Sequence, residues 1–174
     1  MFFLRNLRNL RFSLAGAEQL QKITRAGRPR KNHLRSLPMP RIKRIDHVAV
    51  VVADLDEATA FWQDALGLPI AALKEEPAEK AVVAFLPVNG SEIELVKPTA
   101  GDSGTAKFLA KRGPGMHHLC LEVEDLDGML ARLKARGVRL IHDEPVEKPN
   151  GVRYAFVHPK SAHGVLVELY EKPA

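Results

Sequence analysis

The chain has 174 residues, a length that suits one domain or two small fused modules. Hydrophobic residues make up 45 % of it, which is too many for a disordered chain, and its single cysteine excludes a disulfide framework or a thiolate metal cluster. The net charge of +5 averages two unlike parts: residues 1–44 hold twelve Lys and Arg against one acid, and the remainder holds fourteen against twenty. The folded part is therefore acidic and predicts no nucleic-acid surface.

Residues 1–44 form a basic leader. Their composition, rich in Arg and nearly free of acids, is typical of a mitochondrial transit peptide. A disordered tail would have the same composition. So would an extra N-terminal segment, if translation truly starts at Met39 and the assigned start lies upstream of it. We therefore expect a soluble intracellular protein, cytoplasmic if bacterial and in the mitochondrial matrix if eukaryotic, with no membrane partner. A short basic amphipathic helix is predicted within the leader from the helical spacing of four leucines, Leu4, Leu7, Leu10 and Leu14.

An internal repeat with a period of 71 residues follows the leader. The segments that begin at Ile45 and Met116 both contain an apolar residue, a polar residue, a histidine, a β-rich run and then Asp-Leu-Asp. The two histidines are His47 and His118, and each precedes its first aspartate by seven residues. The repeat indicates two copies of one structural unit.

Each Asp-Leu-Asp predicts the start of a helix, because an Asp carboxylate accepts hydrogen bonds from the free N–H groups of the first turn. The two helices are expected to end at Gly67 and Gly137, since glycine favours the position after a helix. Three strands are expected after each helix: Pro69–Leu73, Ala81–Pro87 and Glu92–Val96, then Arg139–His142, Val152–Val157 and Val165–Tyr170.

The predicted fold is therefore α+β, with two βαβββ modules in residues 45–98 and 116–171. A linker helix within residues 99–115 joins them. We expect a pseudo-two-fold to relate the modules and their strands to form one curved mixed sheet around a metal site, all within a single domain.

The repeat also places one His and one Glu per module at equivalent positions: His47 with Glu94, and His118 with Glu168. Side chains alternate across a strand, so all four are expected on the face opposite the helices, whereas His117 should point away from His118. A lone strand histidine or glutamate is usually structural, but duplication of the pair favours a metal site. Nitrogen and oxygen ligands without thiolate suit Mn, Co, Ni, Zn or Fe(II).

These segments resemble the vicinal-oxygen-chelate superfamily and, within it, the methylmalonyl-CoA epimerase family. The similar segments are Ile45–Ala49, Thr105–Lys111, Gly115–Leu119, His158–Ser161 and Gly164–Leu169. The resemblance implies that a divalent ion (Co, Mn, Ni or Zn) binds His47, Glu94, His118 and Glu168.

The resemblance also implies metal-dependent epimerisation of a CoA thioester, by removal and return of the α-proton through an enolate, in a homodimer. In some members of the family, a second catalytic Glu lies on a strand that contains no acid in this chain. Glu168 and Glu94 are therefore expected to transfer the proton. Basic residues expected to contact the CoA phosphates are Lys107, Lys111, Arg112, Arg153 and Lys160.

Three other activities of this superfamily are possible. Glyoxalase I uses four similar ligands with a glutathione hemithioacetal as substrate. An extradiol dioxygenase uses two histidines and one carboxylate around Fe(II), so a fourth ligand at Glu94 would argue against it. Drug-sequestering proteins with this fold need no metal, and the paired histidines and glutamates argue against them.

Overall fold

The computed structural model describes residues 39–173. The amphipathic helix and most of the predicted leader, residues 1–38, lie outside the described residues. Eight strands form one mixed sheet in the order β2-β3-β4-β1-β5-β8-β7-β6. They are β1 Ile42–Val51, β2 Ala72–Glu76, β3 Ala81–Val88, β4 Ser91–Pro98, β5 Gly115–Val123, β6 Val146–Glu147, β7 Arg153–Val157 and β8 Leu166–Glu171.

The pairing directions repeat in the two halves of the sheet. The pairs β1–β4 and β5–β8 are parallel, and the central pair β1–β5 is antiparallel, as are the outer pairs. The predicted α+β class with a mixed sheet is confirmed. The exact two-fold relation between the modules stays a prediction.

Within residues 39–173, three longer helices and a short 3-10 helix, Pro159–Ser161, accompany the sheet. The first, α1, is α-helical over Leu55–Thr59 and continues as a π-helix over Ala60–Ala65, while α2 spans Gly104–Arg112 and α3 spans Leu126–Ala135. The Asp54 carboxylate accepts hydrogen bonds from two N–H groups of the first turn of α1, and Asp125 caps α3 by accepting one, from Gly128. Both predicted N-caps are therefore confirmed. Each helix within residues 39–173 is too short or too polar for a membrane span.

Some predicted boundaries shift in the structure. The first strand begins at Ile42, three residues before the predicted module, and β2 begins at Ala72 instead of Pro69. The predicted strand Arg139–His142 is wrong, because only Leu140 forms an isolated bridge to β7. The backbone N–H of Arg139 donates to the side chain of Ser161 instead of extending the ladder, so the edge strand of this half is β6.

The apolar core lies mainly between the sheet and the helices α1 and α3. On the buried side of α3, Leu126 and Leu130 pack against strand residues such as Val123. On the opposite face of β1, Ala49 and Val51 pack with α2. The helices α1 and α3 therefore cover one face, and the other face is left to carry the predicted histidines and glutamates.

A candidate metal centre in a pocket on the open face

Two irregularities in the pairing of β1 with β5 shape the site. On β1, Asp46 and His47 together oppose one residue of β5, Cys120. A β-bulge of this kind bends the strand and redirects side chains that strict alternation would place on opposite faces. Both Asp46 and His47 are buried as a result.

The second bulge lies on β5 at His117, between the residues that pair with Ala49 and Val50. The prediction that His117 points away from His118 is therefore wrong in part. Its ring packs edge-on against Phe108 of α2, with centroids 5.1 Å apart. Its Nδ1 nevertheless lies 2.9 Å from Nδ1 of His118, and both rings line the same pocket.

Three of the four predicted ligands converge on one point. The Nε2 atoms of His47 and His118 are 3.1 Å apart, and Glu168 Oε2 lies 3.3 Å from the first and 3.0 Å from the second. Donor atoms bound to one ion at about 2.1 Å would lie about 3.0–3.4 Å from each other in octahedral or tetrahedral arrangements. The two imidazoles and the carboxylate therefore fit a divalent ion.

Glu94 lies beside this cluster without joining it. Its Oε1 is 3.7 Å from Nδ1 of His47, the ring nitrogen opposite the one that faces His118. Burial raises the pKa of Glu94, although the nearby charges of His47 and His118 oppose the shift. Glu94 would have to change rotamer to bind the same ion, so its role as a fourth ligand stays a prediction.

Asp46 orients the first imidazole. Its Oδ2 lies 3.2 Å from His47 Nδ1, and Lys172 Nζ donates to its other oxygen at 2.7 Å. The hydrogen bond with His47, helped by Lys172, lowers the pKa of Asp46. A proton held on Nδ1 leaves Nε2 free to bind a metal, which is the usual arrangement for a metal-binding histidine.

Burial and hydrogen bonding act against each other on the buried groups. Burial disfavours protonation of His47, but its hydrogen bonds to Asp46, Cys120 and Glu168 raise its pKa. Burial likewise opposes ionisation of Glu168, yet the bonds to His118 and His47 lower its pKa to about 2. Burial raises the pKa of Cys120 to about 12. The cluster thus holds a carboxylate between two imidazoles, away from bulk water.

The cluster opens into a cavity of about 520 Å³. Aromatic side chains of both halves line it, including Phe85, Tyr154 and Tyr170. A neighbouring cavity of about 400 Å³ shares only His117 and Gly104 with it.

Three of the five predicted phosphate-binding residues, Lys107, Lys111 and Arg112, line the smaller cavity. Arg153 instead pairs with Asp127 and Glu171 at 2.7 and 2.8 Å, which removes it as a free cation.

Sequence reasoning missed two features of the pocket. Asp46 has a signal in the repeat, because it occupies the same position before His47 that His117 occupies before His118, and both contact the histidine that follows them. Lys148, in the loop between β6 and β7, lines the larger cavity without any such signal.

Comparison with known proteins places the chain and its fold in a family. Residues 46–156 match the Glyoxalase/Bleomycin resistance protein/Dioxygenase superfamily. The chain is 35 % identical to the mitochondrial methylmalonyl-CoA epimerase of Mus musculus over 142 residues, 81 % of this chain and 80 % of that protein. It is 39 % identical to the ethylmalonyl-CoA/methylmalonyl-CoA epimerase of Cereibacter sphaeroides over 130 residues, 74 % and 97 % of the two chains.

A solved structure agrees with these relatives. A variant of Streptomyces coelicolor methylmalonyl-CoA epimerase, in complex with 2-nitronate-propionyl-CoA, superposes with a TM-score of 0.70 at 34 % identity, covering 77 % of this chain and 97 % of that one. The chain therefore belongs to the Glyoxalase/Bleomycin resistance protein/Dioxygenase superfamily and, within it, to the methylmalonyl-CoA epimerase family. The predicted resemblance is confirmed.

Proposed function

We propose that this protein epimerises methylmalonyl-CoA by removing the proton at C2 and returning it to the opposite face. The observation that carries the proposal is the buried cluster of His47, His118 and Glu168, which opens into a pocket that also contains Glu94. The identity of the substrate is inferred from the family, since relatives at 35–39 % identity are named for this reaction.

We infer that the cluster binds a divalent cation, with Co, Mn, Ni and Zn as candidates for an all-nitrogen and oxygen donor set. A bound cation would supply Lewis-acid stabilisation of the negative charge that develops when the proton leaves. The protein contributes the donor atoms, their orientation through Asp46, and burial that excludes water.

Epimerisation needs two groups that can hold the proton on opposite sides of the reacting carbon. We assign these roles to Glu168 and Glu94, which approach opposite nitrogens of the His47 ring at 3.3 and 3.7 Å. Val83 and Phe85 line the pocket from β3, so this strand offers it no acid.

Deuterium exchange tests the proposal directly. The metal-loaded protein is incubated with methylmalonyl-CoA in D₂O, and mass spectrometry follows deuterium entry at C2, with a chelated sample as control. We expect exchange that depends on the metal, and its loss in Glu168→Gln because the amide cannot accept the proton. Glu144→Gln is the matched control, since this glutamate is exposed and pairs only with Lys134 on α3 among the described residues.

The variant Glu94→Gln tests the role of Glu94 independently of Glu168. It should slow exchange and epimerisation if Glu94 carries the second proton position, and wild-type rates in this variant would remove Glu94 from the assignment. Normal exchange in a folded Glu168→Gln protein would do the same for Glu168.

The ligand cluster by itself does not separate the related activities. Two histidines and one carboxylate also suit an extradiol dioxygenase, and Glu94 lies outside the cluster. The choice of an epimerase over a dioxygenase therefore rests on the close relatives. The same relatives favour the epimerase over glyoxalase I. A metal-loaded wild-type protein that shows no exchange would reject the epimerase, and a glutathione hemithioacetal would then be assayed. The predicted homodimer is tested separately by sedimentation velocity.

A further inference from the structure

The two edges of the sheet meet over the pocket. Strands β2 and β6 stand at opposite ends of the strand order. Glu79 lies in the turn after β2, and Lys148 lies in the loop after β6. Their side chains nevertheless form an ion pair, with Lys148 Nζ 3.0 Å from Glu79 Oε1, and both residues line the cavity that contains the His–Glu cluster.

Lys148 also lies against the aromatic wall of that cavity. Its Nζ is 5.3 Å from the ring centroid of Tyr154 and 6.0 Å from that of Tyr170, within the range of a cation–π interaction. The Tyr170 ring in turn lies 6.1 Å from the His47 ring. The ammonium group is therefore separated from the metal-binding imidazole by a single aromatic side chain.

The charge of Lys148 persists in this setting. Burial favours the neutral amine, but the carboxylate of Glu79 outweighs it and raises the pKa of Lys148. An ammonium group has three N–H donors, and Glu79 accepts one of them at the described geometry. Donors remain for an anion that enters the cavity.

We propose that Lys148 binds an anionic group of the substrate, and that Glu79 holds the ammonium in position across the mouth of the pocket before the substrate enters. The inference rests on the proposed function, which supplies an acyl-CoA substrate. The ligand is an oxyanion, either the free carboxylate of the acyl group or a phosphate of CoA. Lys148 was not among the cations predicted from the sequence.

Equilibrium binding of two CoA thioesters tests the assignment. Dissociation constants are measured by calorimetry for methylmalonyl-CoA and for propionyl-CoA, which lacks the free carboxylate. We expect Lys148→Met to raise the dissociation constant for methylmalonyl-CoA about tenfold, the effect of losing one charge-assisted hydrogen bond. Lys148→Arg, which keeps the charge, should stay close to the wild type.

Glu79→Gln distinguishes ligand binding from a purely structural ion pair. It removes the carboxylate that holds the ammonium in place but leaves the charge of Lys148, so anion binding should weaken less than it does in Lys148→Met. Lys134→Met is the matched control, because Lys134 forms an ion pair of the same 3.0 Å length with Glu144 at an exposed position. Thermal unfolding of each variant checks that its fold is retained.

Each outcome decides a separate point. Weaker binding of methylmalonyl-CoA alone identifies the carboxylate as the partner of Lys148, and weaker binding of both thioesters identifies a phosphate. Wild-type affinity in Lys148→Met, or equal weakening in Glu79→Gln, overturns the inference. If the wild type binds the substrate without exchanging its α-proton, the proposed function fails. If it exchanges the proton and Lys148→Met binds normally, only this inference fails.

Discussion

Replacing Asp46 by alanine should weaken divalent-metal binding although Asp46 is not one of the converging ligands. The carboxylate holds Nδ1 of His47 at 3.2 Å, and both side chains are almost fully buried. Loss of such an orienting partner lowers metal affinity about 10- to 100-fold, equivalent to about 1.4–2.7 kcal/mol. The substitution also removes one of the two carboxylates that Lys172 and Arg44 contact, and Glu122 remains as their partner.

The measurement is a competition titration of Zn²⁺ or Co²⁺ between the protein and a chromophoric chelator. Asp46→Asn keeps a hydrogen-bond acceptor and should fall between alanine and the wild type. Asp64→Ala, at an exposed position on α1, controls for the loss of one negative charge. If Asp46→Ala binds metal as tightly as the wild type while His47→Ala loses it, Asp46 does not orient the imidazole for binding.

Two further predictions follow from burial. Leu126, the first residue of α3, is fully buried against the sheet, so Leu126→Ala should lower the free energy of unfolding by about 2–5 kcal/mol. Urea denaturation measures this, and Leu73→Ala, at a residue that is 63 % exposed, should change it by no more than about 0.5 kcal/mol. Equal effects of the two substitutions would contradict the assigned core. Cys120 has no exposed surface, and burial raises its pKa to about 12, so the thiol stays protonated at pH 8. Iodoacetamide should label it only in denaturant, and labelling of the native protein at the unfolded rate would show that this strand opens.

The sequence predicted most of the secondary structure because its signals are local. Asp54 and Asp125 cap their helices through hydrogen bonds within the next three residues, so their role depends little on the rest of the fold. The segment Arg139–His142 failed for the converse reason, since a strand needs a partner along its whole length and only Leu140 finds one.

The internal repeat predicted which side chains come together in the pocket. Because the two halves form equivalent strands, His47, His118 and Glu168 could be placed on one face before any distance was known, and the structure brings their donor atoms within 3.3 Å of each other. Glu94 has the same signal, yet its carboxylate faces the other nitrogen of His47. The repeat specifies a strand position but does not specify a side-chain rotamer.

The residues that surround the cluster depend on how the strands pair in the folded sheet. The bulges between β1 and β5 bring Asp46 against His47 and His117 against His118, and an extra residue in one strand is defined only by the register of its partner. The contact between Glu79 and Lys148 depends on the curvature of all eight strands, since it joins the two ends of the sheet. From the sequence, three of the four predicted ligands could therefore be placed on one face, while sheet register and curvature determined which residues contact them and which residues line the mouth of the pocket.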